Sequence, residues 1–206
     1  MRLGLGPKAF LQLDGCTLLE HAVATMLAVA ARVLIGVPPA DVARARHLVG
    51  GERVEVVAGG ERRADTLRLL MHKTRARWII LHEIVRPLVT PALAWRVIEA
   101  ARQEGAAAPA LLNTDFLHNA DGSVRARPHE VVAIQKPIVF ERAAVLRAFA
   151  TEDRVGRLHD PSILQLLELA EQRTHFVPGE AMNVKLTTLD DYLLLQAIVA
   201  GRRSMP

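Results

Sequence analysis

The chain has 206 residues, 50% hydrophobic and 23% charged, with 26 Lys+Arg against 22 Asp+Glu giving a net charge of +4. This composition excludes disorder and collagen-like repeats, and the lone Cys16 excludes an internal disulfide framework and a cysteine zinc cluster. Charges of both signs are interleaved and no apolar run is long enough to cross a bilayer, so the expectation is a cytoplasmic protein that meets phosphate-bearing small molecules, with no nucleic-acid track and no membrane span.

The chain opens with Gly4-x-Gly6-Pro7-Lys8, glycines and a lysine suited to wrapping N–H groups and an ammonium around phosphates, or simply a flexible terminus. Ala9 stands where a P-loop would carry Ser or Thr. In a doubly wound sheet an apolar strand normally feeds such a loop, and none precedes it here. The expectation is a central sheet position that another segment fills, or a sequence that begins too late.

A capping box at Thr17 predicts a helix over 17 to 31, and the apolar run Val33 to Val37 a strand buried on both faces. Next come a helix near 40 to 48, a strand at Arg53 to Val57, a helix at 61 to 73, and a strand at Trp78 to Leu81. A helix from Pro91 to about Glu104 leads into a strand at Ala106 to Leu112. From Asn113 to Pro128 the periodicity dissolves into what reads as a β-arm with a turn at Asp121-Gly122, and Val131 to Ile134 is apolar again. Helices at 141 to 149 and 162 to 171, a strand at His175 to Val177, and a helix from Asp190 ended by Gly201 complete the chain. The alternation predicts a single α/β domain over 1–206. Its fold class is doubly wound and Rossmann-like, a mostly parallel sheet with helices on both faces and an arm at 113–134. Ligands of such sheets sit beyond the carboxyl ends of the strands.

Three segments fall there. Gly59-Gly60-Glu61-Arg62-Arg63 follows a strand and opens a helix, which suits an anion at the helix amino terminus or, equally, a tight turn with solvated arginines. His82-Glu83-Ile84-Val85-Arg86-Pro87 places Glu83 where a metal-binding carboxylate would stand, or in an ion pair with Arg86; Arg86 and Pro87 exclude a zinc helix. In Asn183-Val184-Lys185-Leu186-Thr187-Thr188, Lys185 alternates with apolar neighbours and points either to solvent or into the crevice. Thr188 and Asp191 form another capping box.

In order, P-K-A-F-L-x-L-x-G-x-T-L-L-E-H at 7 to 21, G-G-x-x-R-x-x-T at 59 to 66, H-E-x-x-R-P at 82 to 87 and N-V-K-L-T-T-x-D-D at 183 to 191 resemble the 2-C-methyl-D-erythritol 4-phosphate cytidylyltransferase family. The resemblance spans nearly the whole chain. It implies transfer of CMP from CTP to a polyol phosphate with release of pyrophosphate, a step of isoprenoid precursor synthesis. It assigns Lys8 and Lys185 to catalysis, Arg2, Gly60, Glu61 and Thr66 to the nucleotide, and Glu83 to Mg2+, in place of the family's aspartate. The acceptor side departs from the family pattern: D-T reads Asp115-Phe116, T-P-Q reads Lys136-Pro137-Ile138, and T-D-E reads His159-Asp160-Pro161. Arg127, Lys136 and His159 are the cationic groups available to hold the acceptor phosphate. The resemblance also implies a homodimer formed through the arm. Two further readings are a non-catalytic homologue acting as a binding protein and an incomplete copy of the enzyme.

Overall fold

The computed structural model describes residues 6–155 and 160–203. Arg2 and His159, both expected at the site, lie outside the described residues. A single 3-10 turn, Lys8–Phe10, precedes β1 (Gln12–Leu13) and β2 (Cys16–Thr17), a hairpin whose turn residues Asp14 and Gly15 both adopt positive φ. Asp-Gly is the dipeptide such a turn requires. Cys16 is exposed on it.

Helix α1 (Leu18–Leu27) starts where its capping box predicts: Thr17 accepts from the Glu20 amide and the Glu20 side chain accepts from the Thr17 amide. It stops four residues before the expected 31, because residues 28–31 leave the helical ladder in a turn. Then come β3 (Val33–Val37), α2 (Val42–Val49), β4 (Val54–Ala58), α3 (Arg63–His72), β5 (Trp78–Leu81), α4 (Pro91–Glu104) and β6 (Ala106–Leu112). The arm contains β7 (Leu117–His118) and β8 (Val124–Ala126), paired antiparallel around Gly122 at φ 86°. After it run β9 (Val132–Ile134), β10 (Ile138–Glu141), α5 (Arg142–Val155), α6 (Ile163–Leu169), β11 (His175–Pro178) and α7 (Leu189–Arg203). Gly201 lies inside α7 and does not end it.

Two sheets result. β3 and β4 pair in parallel. The other sheet runs β11-β6-β10-β5, with β9 added to β6; β11 is parallel to β6, whereas β10 is antiparallel to both neighbours. Strand β10 departs from the predicted elements: Ile138 to Glu141 is a four-residue apolar run abutting a helix, too short for periodicity to identify. Its packing nevertheless alternates with period two. Ile138 and Phe140 pack with α3, α5 and α6, and Val139 packs with α4 residues Val97, Ile98 and Ala101 on the opposite face. The alanines of β6 let both helical layers approach closely.

The carboxyl ends of β3 and β5 point the same way. Helix α3 begins beside β3's carboxyl end, where a Cβ on Gly36 would meet Thr66. In its last turn the Met71 carbonyl accepts from Arg142 Nε, and Arg142 donates its amide to Arg77, the residue before β5. Among the described residues, β3 pairs only with β4 and β5 only with β10. Between them lies a cavity of about 700 Å³, lined by every residue of β5 and by β3 from Val33 to Gly36. The expected open position in the centre of the sheet is therefore present, and no described segment fills it.

Candidate active site at the carboxyl ends of the strands

The turn Gly59-Gly60 lies between β4 and α3 because two close approaches leave no room for a side chain. A Cβ on Gly60 would stand 2.5 Å from the Asp65 Cβ, and one on Gly59 would stand 2.8 Å from Thr66 Oγ1. Gly60 donates its amide to Thr66 Oγ1 at 3.0 Å, so Thr66 holds the turn shut across the first turn of the helix. Arg62 and Asp65 form an ion pair at the same terminus, and Asp160 accepts from the Ala64 amide and from Arg63 Nε, both at 3.1 Å. Glu61 is exposed at the lip.

Glu83 leaves the carboxyl end of β5 and faces two cations, Lys185 Nζ at 3.5 Å and Arg86 Nε at 3.9 Å. The expected ion pair with Arg86 exists, and Glu83 also lines the crevice. Lys185 belongs to no strand; it points into the crevice because its segment is pinned at both ends. Upstream, the fully buried Asn183 accepts Arg86 Nη1 on its carbonyl at 2.6 Å and donates Nδ2 to the Lys136 carbonyl at 2.7 Å. Downstream, Leu186 donates its amide to Val85, and Asp191 accepts from the Thr187 and Thr188 amides. Lys8 donates to the carbonyls of Leu186 and Thr187, 3.2 Å each, so both lysines expected to be catalytic share one rim although 177 positions separate them in the chain.

Lys136 is half-buried next to this group. Burial pushes its ammonium down to about 8, with Glu83 opposing and Arg86, Lys185 and Arg63 adding to the depression. Burial likewise lowers the Arg86 guanidinium from its usual value. One carboxylate thus faces a surplus of cations, an arrangement that attracts a polyanion. Gln135 donates to the Glu180 carbonyl at 2.8 Å and, with Asn183 and Arg63, supports the site in a role that sequence reasoning misses. Asn183 stands in a quoted motif, but its burial depends on packing that no local pattern reveals. Arg127 is not brought in: it lies exposed on the arm, where Glu130 accepts its amide.

His82 is half-buried, and its Nε2 lies 3.1 Å from the Arg86 carbonyl while the buried Nδ1 has no partner. Burial pushes the imidazole down to about 4. An unfolded histidine takes up its proton near pH 6.5, so between pH 6.5 and 4 the unfolded state binds more protons. Stability is therefore full above pH 6.5 and is lost as pH falls toward 4, by about 3 kcal/mol. Urea titrations at pH 7 and pH 4.5 are expected to show this loss, and His82→Gln to abolish most of the difference; an unchanged difference in the variant would assign the acid sensitivity to other groups.

The profile of the family described as 2-C-methyl-D-erythritol 4-phosphate cytidylyltransferase matches residues 1–201. Similar curated proteins bearing that name come from Deinococcus radiodurans, 32% identical over 96% of this chain and 84% of that one, and from Thermus thermophilus, 36% identical over 96% and 91%. A crystal structure of the enzyme of that name from Thermus thermophilus superposes with a TM-score of 0.84 at 32% identity, covering 95% of this chain and 94% of that one. A 4-diphosphocytidyl-2C-methyl-D-erythritol synthase from Anaerococcus prevotii shares the fold at 20% identity, with a TM-score of 0.81 over 93% of each chain. The chain belongs to the 2-C-methyl-D-erythritol 4-phosphate cytidylyltransferase family.

Proposed function

We propose that this chain transfers CMP from CTP to 2-C-methyl-D-erythritol 4-phosphate and releases pyrophosphate. The observation that carries the reading is the convergence of Lys8, Lys185 and Glu83 on one rim at the carboxyl end of β5. The acceptor's phosphate oxygen forms a bond to the α-phosphorus of CTP as the bond to the β-phosphate oxygen breaks, and the electron pair leaves on pyrophosphate. No protein nucleophile is needed. Lys8 and Lys185 supply charge to the phosphates, where it counts most as negative charge redistributes in the transition state. Gly60, Glu61 and Thr66 form the nucleotide end, with Arg2 as a further candidate, and Lys136 with Arg127 and His159 are the acceptor candidates.

Among the described residues no three His, Cys, Asp or Glu side chains gather as a metal cluster. Glu83 is the carboxylate that would hold a Mg2+ arriving with the triphosphate. Bound there, the ion would neutralise phosphate charge. Exposed Phe116, Leu117 and Val124 on the arm support a homodimer contact. We place the protein in the cytoplasm, with its phosphorylated substrates; no described helix is long and apolar enough to cross a membrane.

Because Lys136 titrates near 8, it is cationic below that pH and neutral above it. The KM for the polyol phosphate is accordingly expected to rise as pH climbs through 8, while Lys136→Met starts with a KM about tenfold higher and loses that dependence. A variant profile that still follows the parent would remove Lys136 from the acceptor site. The nucleotide half is tested separately by calorimetric titration of CTP with Mg2+, using UTP as control: saturable binding that prefers CTP is expected, and no heat from the folded chain contradicts the reading.

A further inference from the structure

Helix α7 makes more contacts at its amino terminus than a helix cap requires. Thr188 and Asp191 form the reciprocal box: Asp191 donates its amide to Thr188 Oγ1 at 3.3 Å, and Asp191 Oδ2 accepts the Thr188 amide at 2.7 Å. The same Oδ2 also accepts the Thr187 amide at 2.7 Å, a bond that the box does not include. These two amides belong to the peptide groups whose other ends are the carbonyls of Leu186 and Thr187, and those carbonyls receive Lys8 Nζ at 3.2 Å each. Each of two successive peptide planes therefore carries the Asp191 carboxylate at its N–H end and the Lys8 ammonium at its C=O end.

The arrangement fixes where Lys8 points. An ammonium has three N–H donors, and two go to these carbonyls, so the carbonyl positions set the direction of the third. A negative charge at the N–H end polarises each peptide group and makes its carbonyl the stronger acceptor. Amide hydrogen bonds from Thr188 and Thr187 hold the Asp191 carboxyl below its usual range, and the Lys8 charge adds to this. The backbone that carries Lys8 is held from the same helix turn. Tyr192, next to Asp191, donates its hydroxyl to the Gln12 carbonyl at 2.5 Å, just past the 3-10 turn Lys8–Phe10. The Tyr192 side chain packs in an apolar cluster with Leu13 of β1, Leu18 of α1, Leu88, Leu186 and Leu195. At the far end of α7, Arg203 pairs with Asp14 in the hairpin turn. We propose that Asp191, with Tyr192 beside it, is a positioning residue for Lys8: it aims the ammonium at the triphosphate through the two peptide groups, while Tyr192 keeps the Lys8 segment in place. This rests on the assignment of Lys8 to the triphosphate of CTP and deepens it.

Binding of CTP with Mg2+ is measured by calorimetry, without acceptor, for the parent chain, Asp191→Ala, Lys8→Ala and the double variant, with urea midpoints alongside. Asp191→Ala is expected to weaken CTP by about tenfold in the parent and by less than about twofold in the Lys8→Ala background, because a residue that acts through another has nothing left to act on. Asp191→Asn keeps an oxygen for both amides without the charge, and is expected to recover part of the affinity. Tyr192→Phe keeps the ring in its cluster, and with it the fold, and is expected to weaken CTP by about threefold, an effect that also disappears in Lys8→Ala. Equal weakening in both backgrounds would make Asp191 a helix cap only and overturn the proposal, as would unchanged affinity in Asp191→Ala and Tyr192→Phe. A parent that shows the coupling yet forms no ester with the polyol phosphate would contradict the CMP-transfer reading and leave Asp191 in its role. A folded parent that binds no CTP would overturn both.

Discussion

Lys185→Ala is expected to lower kcat for CTP-dependent pyrophosphate release by about 10²–10³-fold, the usual cost of removing one preorganised charge from a developing transition state. The side chain is 49% exposed and its pair with Glu83 spans 3.5 Å, so stability should change by less than about 1 kcal/mol. That separation makes the result interpretable: a folded variant that has lost turnover identifies a group acting on the reacting phosphates. Lys185→Arg keeps the charge but replaces a compact ammonium with a planar fork, and should recover only part of the rate. Equal kcat in parent and Lys185→Ala would place the lysine outside the chemistry and leave it as a partner of Glu83.

Lys8→Ala is expected to act on the same rim with a different signature. Lys8 is anchored by the carbonyls of Leu186 and Thr187, so its ammonium is held beside the Lys185 segment before any substrate arrives. A charge that touches the triphosphate in both ground and transition states changes KM as well as kcat. The expected loss is about 10²-fold in kcat/KM for CTP, shared between the two parameters, and steady-state kinetics with CTP varied separate them. A loss confined to the KM for the polyol phosphate would move Lys8 to the acceptor side.

Much of this architecture is legible in the residues. Strands β5 and β6 have the bounds that apolar runs predict, and capping boxes at Thr17 and Thr188 mark their helix starts, since these signals are local. The end of α1, the continuation of α7 through Gly201 and the existence of β10 are not legible, because they depend on tertiary packing rather than on a nearby residue. The direction of β10 is a matter of chain path, which sequence periodicity does not carry. At the site, Lys8, Glu83 and Lys185 are recognisable as motif residues. Asn183 as the tie between Arg86 and Lys136, and the depressed ammonium of Lys136, follow from burial alone. The turn at Asp14-Gly15 is the opposite case: its dipeptide is a plain hairpin signal obscured by the short strands on either side.

The most direct test of the central claim is to incubate the purified chain with CTP, Mg2+ and 2-C-methyl-D-erythritol 4-phosphate and follow the products by phosphorus NMR. The account predicts resonances of a cytidine diphosphate ester and pyrophosphate in equal amounts, absent when either substrate is omitted and suppressed by Lys185→Ala. A folded chain that binds CTP yet forms no ester with this acceptor would contradict it.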